Sequence, residues 1–272
     1  MPRIGSSSFA FPAFSGATRR LVLWNLIAYF ALLLLHAASA NSADLLKAAL
    51  SFIPSVFLHG WLWQPFTYSL VHIGIFGTLF ELLSLWFLAG FLESAHSSSW
   101  ITGLYATSVL GTAAAATALY TVGHTLKPTL GQVALNGCFG GIFGLLVAIG
   151  VLYGDVQFML FPLPIGIKAR YLAAIYALVS IAMLFGPQGL YAFSELGGAL
   201  AGLFFIRLAP RRGFPFAFSE HWYGLRNRYY RWKRRRAARK FEVYMRSQGR
   251  TVRFDGQGRQ IDGDPDDKKR WN

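Results

Sequence analysis

The chain has 272 residues, of which 54% are hydrophobic and 14% charged, with a formal net charge of +14. Soluble domains carry roughly 25% charged residues, so an ordinary soluble domain is excluded. The single cysteine, Cys138, excludes an intrachain disulfide. The charge is lopsided: 19 of the 26 Lys and Arg lie from Arg207 onward, against seven of the 12 acidic residues.

The first 20 residues contain Arg3, Arg19 and Arg20 but no compact apolar run ahead of a cleavage site, which argues against a secretory signal. The first long apolar run extends from Leu21 to about Ala40. A helix needs about 20 apolar residues to cross a bilayer, and this run has them. Further candidates follow at about 67–93, 100–122, 134–153, 169–186 and 189–208, the last two separated by the turn Gly186-Pro187-Gln188-Gly189. The pattern predicts an all-α membrane protein with six transmembrane helices. Its parts are a cytosolic segment over 1–20, a membrane domain over 21–208 and a basic cytosolic tail over 209–272.

Lys and Arg gather on the cytoplasmic side of membrane proteins. Arg19, Arg20, Lys168, Arg170 and the tail lie on one side of the predicted spans, Lys47 and Lys127 on the other. Both termini are therefore expected in the cytoplasm, and the compact core suggests a bacterial plasma membrane. The stretch over about 41–66 is rich in Leu, Phe and Trp, including Trp61 and Trp63, and nearly uncharged. Trp prefers the membrane–water boundary, so this stretch reads as an interfacial segment and not a seventh span.

Gly140 and Gly144 are four residues apart in span four, as are Gly198 and Gly202 in span six. That spacing puts both glycines on one helix face, where backbones approach closely. In the tail, a helix is expected from about Ser219 to Gln248, with Trp222, Leu225, Tyr229 and Trp232 forming a stripe. Arg231, Lys233, Arg234, Arg235 and Arg236 accompany it. Such a basic amphipathic helix suits anionic lipid. Lipid is preferred to nucleic acid as partner because the preceding span holds the tail at the bilayer.

Three segments carry a more specific pattern. They are Trp63-Gln64-Pro65-Phe66-Thr67 with His72 and Gly90-Phe91-Leu92-Glu93; Asn136-Gly137-Cys138-Phe139-Gly140-Gly141-Ile142-Phe143-Gly144; and Ser194-Glu195-Leu196-Gly197-Gly198-Ala199-Leu200-Ala201-Gly202. In order and spacing these resemble the rhomboid intramembrane serine proteases over about residues 20–207. The stretch from Phe161 to Arg170 is similar to that family's loop into its fifth span. The resemblance implies a rhomboid-like six-helix bundle with erased chemistry. Phe139 stands at the family's serine position, Glu195 at its histidine, and Gly77 and Glu81 at its oxyanion-binding pair. Phe has no nucleophilic atom, and losing one oxyanion donor alone costs about 2.7–4 kcal/mol. Serine proteolysis is excluded on this reading.

Glu81 and Glu195 remain as carboxyls inside predicted spans. A charge at mid-bilayer costs at least about 2.5–3.5 kcal/mol, so such residues face the bundle interior or a cavity. Each can brace neighbouring helices by hydrogen bonds, or their cavity can bind a partner's polar or basic group; a proton relay, a metal site or a paired-acid hydrolase are the remaining uses. Cys138 reads as a small buried packing residue. His72 lies nine residues from Glu81, on the opposite face of an ideal helix, so no joint metal site is expected, nor any cofactor. The functional expectation is a non-proteolytic binder of transmembrane client segments, with Trp63, His72, Glu81, Cys138 and Glu195 as binding or cavity candidates. The alternative is a peptidase using Glu81, Glu195 or Cys138.

Overall fold

The computed structural model describes residues 12–123, 133–160, 165–186 and 188–208, together with isolated stretches of the tail between Asn227 and Ile261. The chain divides into two compact units, Met1–Phe214 and Pro215–Asn272.

In the first unit the long helices are α1 (Gly16–Ala38), α5 (Ile75–Glu93), α6 (Ser98–Gly123), α7 (Phe139–Leu152), α8 (Ala169–Met183) and α9 (Gly189–Leu208). Between α1 and α5 run three short helices, α2 (Ala40–Leu50), α3 (Pro54–Leu58) and α4 (Gln64–Thr67), and a 3₁₀ turn at Tyr68–Leu70. Antiparallel strands β1 (Gln157–Leu160) and β2 (Ile165–Lys168) join α7 to α8. Asp155 pairs at their base with Lys168 and Arg170, at 3.4 and 3.3 Å. The fold is thus mostly helical and not wholly so, because this connection pairs as a hairpin.

Among the described residues, three helices are long and apolar enough to cross a membrane: α1, α5 and α9. Helices α7 and α8 have 14 and 15 residues, short of the usual 20 or so. Helix α6 has 26 residues, and its Ser, Thr and Gly content lowers its hydropathy. The sequence pattern counted apolar flanking residues that do not continue the helices, so its spans are longer than the helices observed.

The second predicted span shows this best. It was expected to begin near 67, yet α5 starts at Ile75 after Gly74, whose φ of +76° breaks the run. Likewise α7 starts at Phe139, after Gly137 at φ +86°. The chain enters α7 in extended form: Leu135 bridges Phe52, and the Gly137 N–H donates to Val71 O at 2.7 Å. These two breaks carry residues 71–74 past 135–138.

The core lies where α6, α7 and α9 meet. Ser108 and Thr112 of α6, Gly140 and Gly144 of α7, and Gly198 and Gly202 of α9 face one another. A Cβ on Gly198 would stand 2.9 Å from Gly140 O, and one on Gly202 would stand 2.7 Å from Gly144 Cα. Bare backbone is what lets the three axes close up. Helices α1, α5 and α8 present their apolar outer faces, among them Trp24, Phe76, Phe80 and Leu178, away from this core.

The short helices α2 to α4 expose Leu45, Leu58 and Phe66, and the link between α3 and α4 exposes Leu62. None is long enough to span. Trp63 is half exposed and donates its indole N–H to Ala49 O at 3.0 Å, with the Trp61 ring 5.2 Å away.

In the second unit, described residues from Asn227 to Ser247 are helical, and Arg253–Phe254 (β3) pairs antiparallel with Gln260–Ile261 (β4). Arg231, Lys233 and Arg236 are exposed, and Arg236 lies over the Trp232 ring at 5.4 Å. The expected helix start at Ser219, with Arg234 and Arg235, lies outside the described residues.

Candidate functional site

The breaks before α5 and α7 assemble a buried polar cluster. Glu81 projects from the second turn of α5 toward the amino end of α7. Its Oε2 accepts the Cys138 N–H at 2.8 Å, and the Cys138 thiol lies 3.5 Å away. Backbone amides at a helix start favour a carboxylate. Gly137 makes room for it: a Cβ there would sit 2.6 Å from Glu81 Oε2, in a backbone conformation that side chains rarely adopt.

His72 completes the cluster. Its Nδ1 is 3.1 Å from Glu81 Oε2, but the approach lies outside hydrogen-bond geometry. Its Nε2 is 2.9 Å from Asn25 Oδ1. Asn25 Nδ2 donates to Leu21 O at 2.7 Å, which fixes the Asn25 oxygen toward the ring and makes Nε2 the N–H. The expectation that His72 and Glu81 face apart is therefore overturned. It assumed one continuous helix through both, whereas His72 precedes Gly74 and folds back beside Glu81. Among the described residues His72, Glu81 and Cys138 are the group able to hold a metal ion, with ligand atoms all within 4.8 Å.

On the other side of Glu81 opens a cavity of about 470 Å³. Glu195 lines it with Glu81, as do Asn136, Phe139, Tyr176 and Ser180. Ser180 of α8 lines the cavity together with Glu195, and the Tyr191 hydroxyl donates to Ala134 O. The structure thus brings Glu81 and Glu195 to one cavity. Trp63 lies elsewhere, at α2, and Gly77 meets open space. Cys138 is fully buried and does not line the cavity, and the Ser194 hydroxyl is engaged by Leu190 O at 2.6 Å. Two carboxyls on one cavity can bind polar or cationic groups and exchange protons.

Several members of these networks escaped the sequence reading. Asn25 is a polar residue within the first apolar run, and its isolation there was the available signal. Ser180 carries the same mark in α8. Glu93 accepts from Ala17 N, Thr18 N and Thr18 Oγ1 at 2.6, 3.0 and 2.7 Å, and also from Ser98.

Residues 22–211 match the model of a family described as eukaryotic integral membrane protein (DUF1751). No curated protein matches the chain. The match covers the stretch on which the resemblance to rhomboid proteases rested, and it replaces that resemblance with a different family. The glycine spacing within those segments reports backbone proximity in any tight helix bundle. A eukaryotic family also removes the grounds for a bacterial plasma membrane.

Proposed function

Since the chain belongs to the eukaryotic integral membrane protein family DUF1751, we propose that it binds membrane-embedded segments of other proteins, without cutting them, at the cavity between α5 and α8. The observation that carries this reading is the two-carboxyl cavity. Ile73, Phe139, Tyr176 and Val179 line it and are themselves exposed, so it opens sideways toward lipid. Helices α5 and α8 flank the opening without packing extensively on one another. A segment with an apolar surface and one Lys, Asn or Gln satisfies such a site: its side faces aromatic and aliphatic wall while its polar group reaches Glu195. An unpaired polar group in lipid is costly, so both partners gain.

In this reading all six long helices cross the bilayer, with α7 and α8 shielded by their neighbours and both termini in the cytoplasm. The exposed basic residues of the tail then lie on anionic lipid, with Trp232 as an anchor. Trypsin protection of the tail in nanodiscs with and without anionic lipid tests that part. Equal cleavage in both rejects it.

The binding reading is tested in proteoliposomes carrying a photo-crosslinker at Val179 and model transmembrane peptides with a central Lys, Asn or Leu. Capture of the Lys and Asn peptides over the Leu peptide is expected, with the preference lost in Glu195→Leu. Lipid adducts alone, or equal capture of all three peptides, reject it.

A further inference from the structure

We propose that His72 Nδ1, Glu81 Oε2 and Cys138 Sγ bind one borderline-soft divalent cation of the zinc type, on the core side of the binding cavity. The donor set is of the right kind: imidazole, carboxylate and thiolate are the ligands zinc takes, and three protein ligands with one open position is a recurrent arrangement. Spacing agrees. At ligand distances of about 2.0–2.3 Å, a tetrahedral site separates nitrogen from oxygen by about 3.3 Å and sulfur from oxygen by about 3.5 Å. The observed separations are 3.1 and 3.5 Å.

A second observation comes from His72 itself. Its side chain is fully buried, and Nδ1 makes no hydrogen bond. Asn25 holds the proton on Nε2, so in the neutral ring Nδ1 presents a lone pair. Glu81 Oε2 presents another, 3.1 Å away and off the line of a hydrogen bond. Two acceptors that close need a proton or a metal cation between them, and an approach off the hydrogen-bond line suits two ligands that each point at a shared ion. Asn25 then serves the ordinary role of a partner that orients a ligating histidine. Binding displaces the Cys138 thiol proton to solvent. The thiolate and carboxylate charges cancel those of the ion, leaving a neutral site suited to a membrane interior. Glu81 also borders the cavity, which gives the ion a way in.

The test uses the full chain, purified in detergent through a tag without histidines and without chelators. Elemental analysis is expected to find about one zinc per chain. Cys138→Ser and His72→Gln should lower it to background, Asn25→Leu should weaken affinity by about 10- to 100-fold, and Glu195→Gln should leave it unchanged. Added Co²⁺ should give a thiolate-to-metal charge-transfer band in the wild type that Cys138→Ser lacks at unchanged helical content. Should Cys138→Ser fail to fold, the wild-type band decides by itself. A wild type that is metal-free as isolated and gives no band with Co²⁺ overturns the proposal, as does zinc retained by Cys138→Ser. Either result would leave the carboxyl cavity, and the peptide-capture reading, untouched.

Discussion

Glu93, the last residue of α5, accepts both the backbone N–H and the hydroxyl of Thr18, at 3.0 and 2.7 Å, in the first turn of α1. With the Ala17 N–H added, a side chain from one helix occupies the amino end of another. Helix starts have N–H groups without intrahelical partners, and here a carboxylate 75 positions away in the chain supplies what a local cap usually does. Ser15, the residue before α1, makes no side-chain cap of its own.

Glu93→Ala is therefore expected to destabilise the protein by about 1.5–3 kcal/mol, the range for hydrogen bonds to a charged group. Thr18→Val should lose about half as much, since both amides keep their acceptor. Thermal unfolding in detergent reads both. A Glu93→Ala midpoint equal to wild type would mean that the carboxylate does not cap α1.

Glycine positions give a paired prediction. Gly198→Ala places a Cβ 2.9 Å from Gly140 O and 3.0 Å from Ser108 O, so α9 must move off, with a loss of about 1–3 kcal/mol. Gly77→Ala meets nothing within 4 Å and relieves a helix of glycine, for a gain of up to about 1 kcal/mol. The same unfolding measurement checks both. A reversed order would place the helix contact elsewhere.

Cys138 is the chain's one thiol and is 0% exposed. It should resist maleimide in the folded protein and react fully after denaturation. Mass spectrometry before and after unfolding reads this directly. Rapid labelling of the native form would open α7's amino end to solvent and revive a nucleophilic role for the residue.

His96, in the turn between α5 and α6, stacks on Trp100 at 4.0 Å and meets the Tyr153 hydroxyl at 3.1 Å. Burial pushes its pKa below the ordinary histidine value. The folded state thus favours the neutral ring and binds fewer protons than the unfolded chain. That contribution is present above about pH 6.5 and lost as pH falls through the lower folded value. The midpoint should drop between pH 7 and pH 5 in wild type, with a shallower slope in His96→Asn. Equal slopes would remove His96 from the pH response.

What the sequence disclosed divides along a physical line. Helices α1, α5 and α9 were legible because long apolar runs admit few alternatives. The glycine pairs of α7 and α9 were legible because four-residue spacing fixes a face. Glu81 and Glu195 stood out because carboxyls inside apolar runs need an interior partner. His72 was misjudged because facing was deduced from helical periodicity across Gly74, where no helix exists. The same error put Cys138 within a helix that begins one residue later. Asn25 was passed over because a single amide barely lowers the hydropathy of its run. Partners distant in sequence, such as Glu93 with Thr18, leave no local periodic trace.

Helix α5 carries two glutamates that complete two different helices, and the two partners are made at different times. Thr18 has already emerged when Glu93 is translated, so that bond can form as α5 enters the bilayer. Glu81 instead depends on Cys138, which follows it by 57 residues. At 5–20 residues per second that is an interval of roughly 3–11 s. For that time the carboxyl has no amide to receive it. The Glu81 cluster is thus completed only when α7 arrives, whereas the Glu93 cap can close with α5 itself.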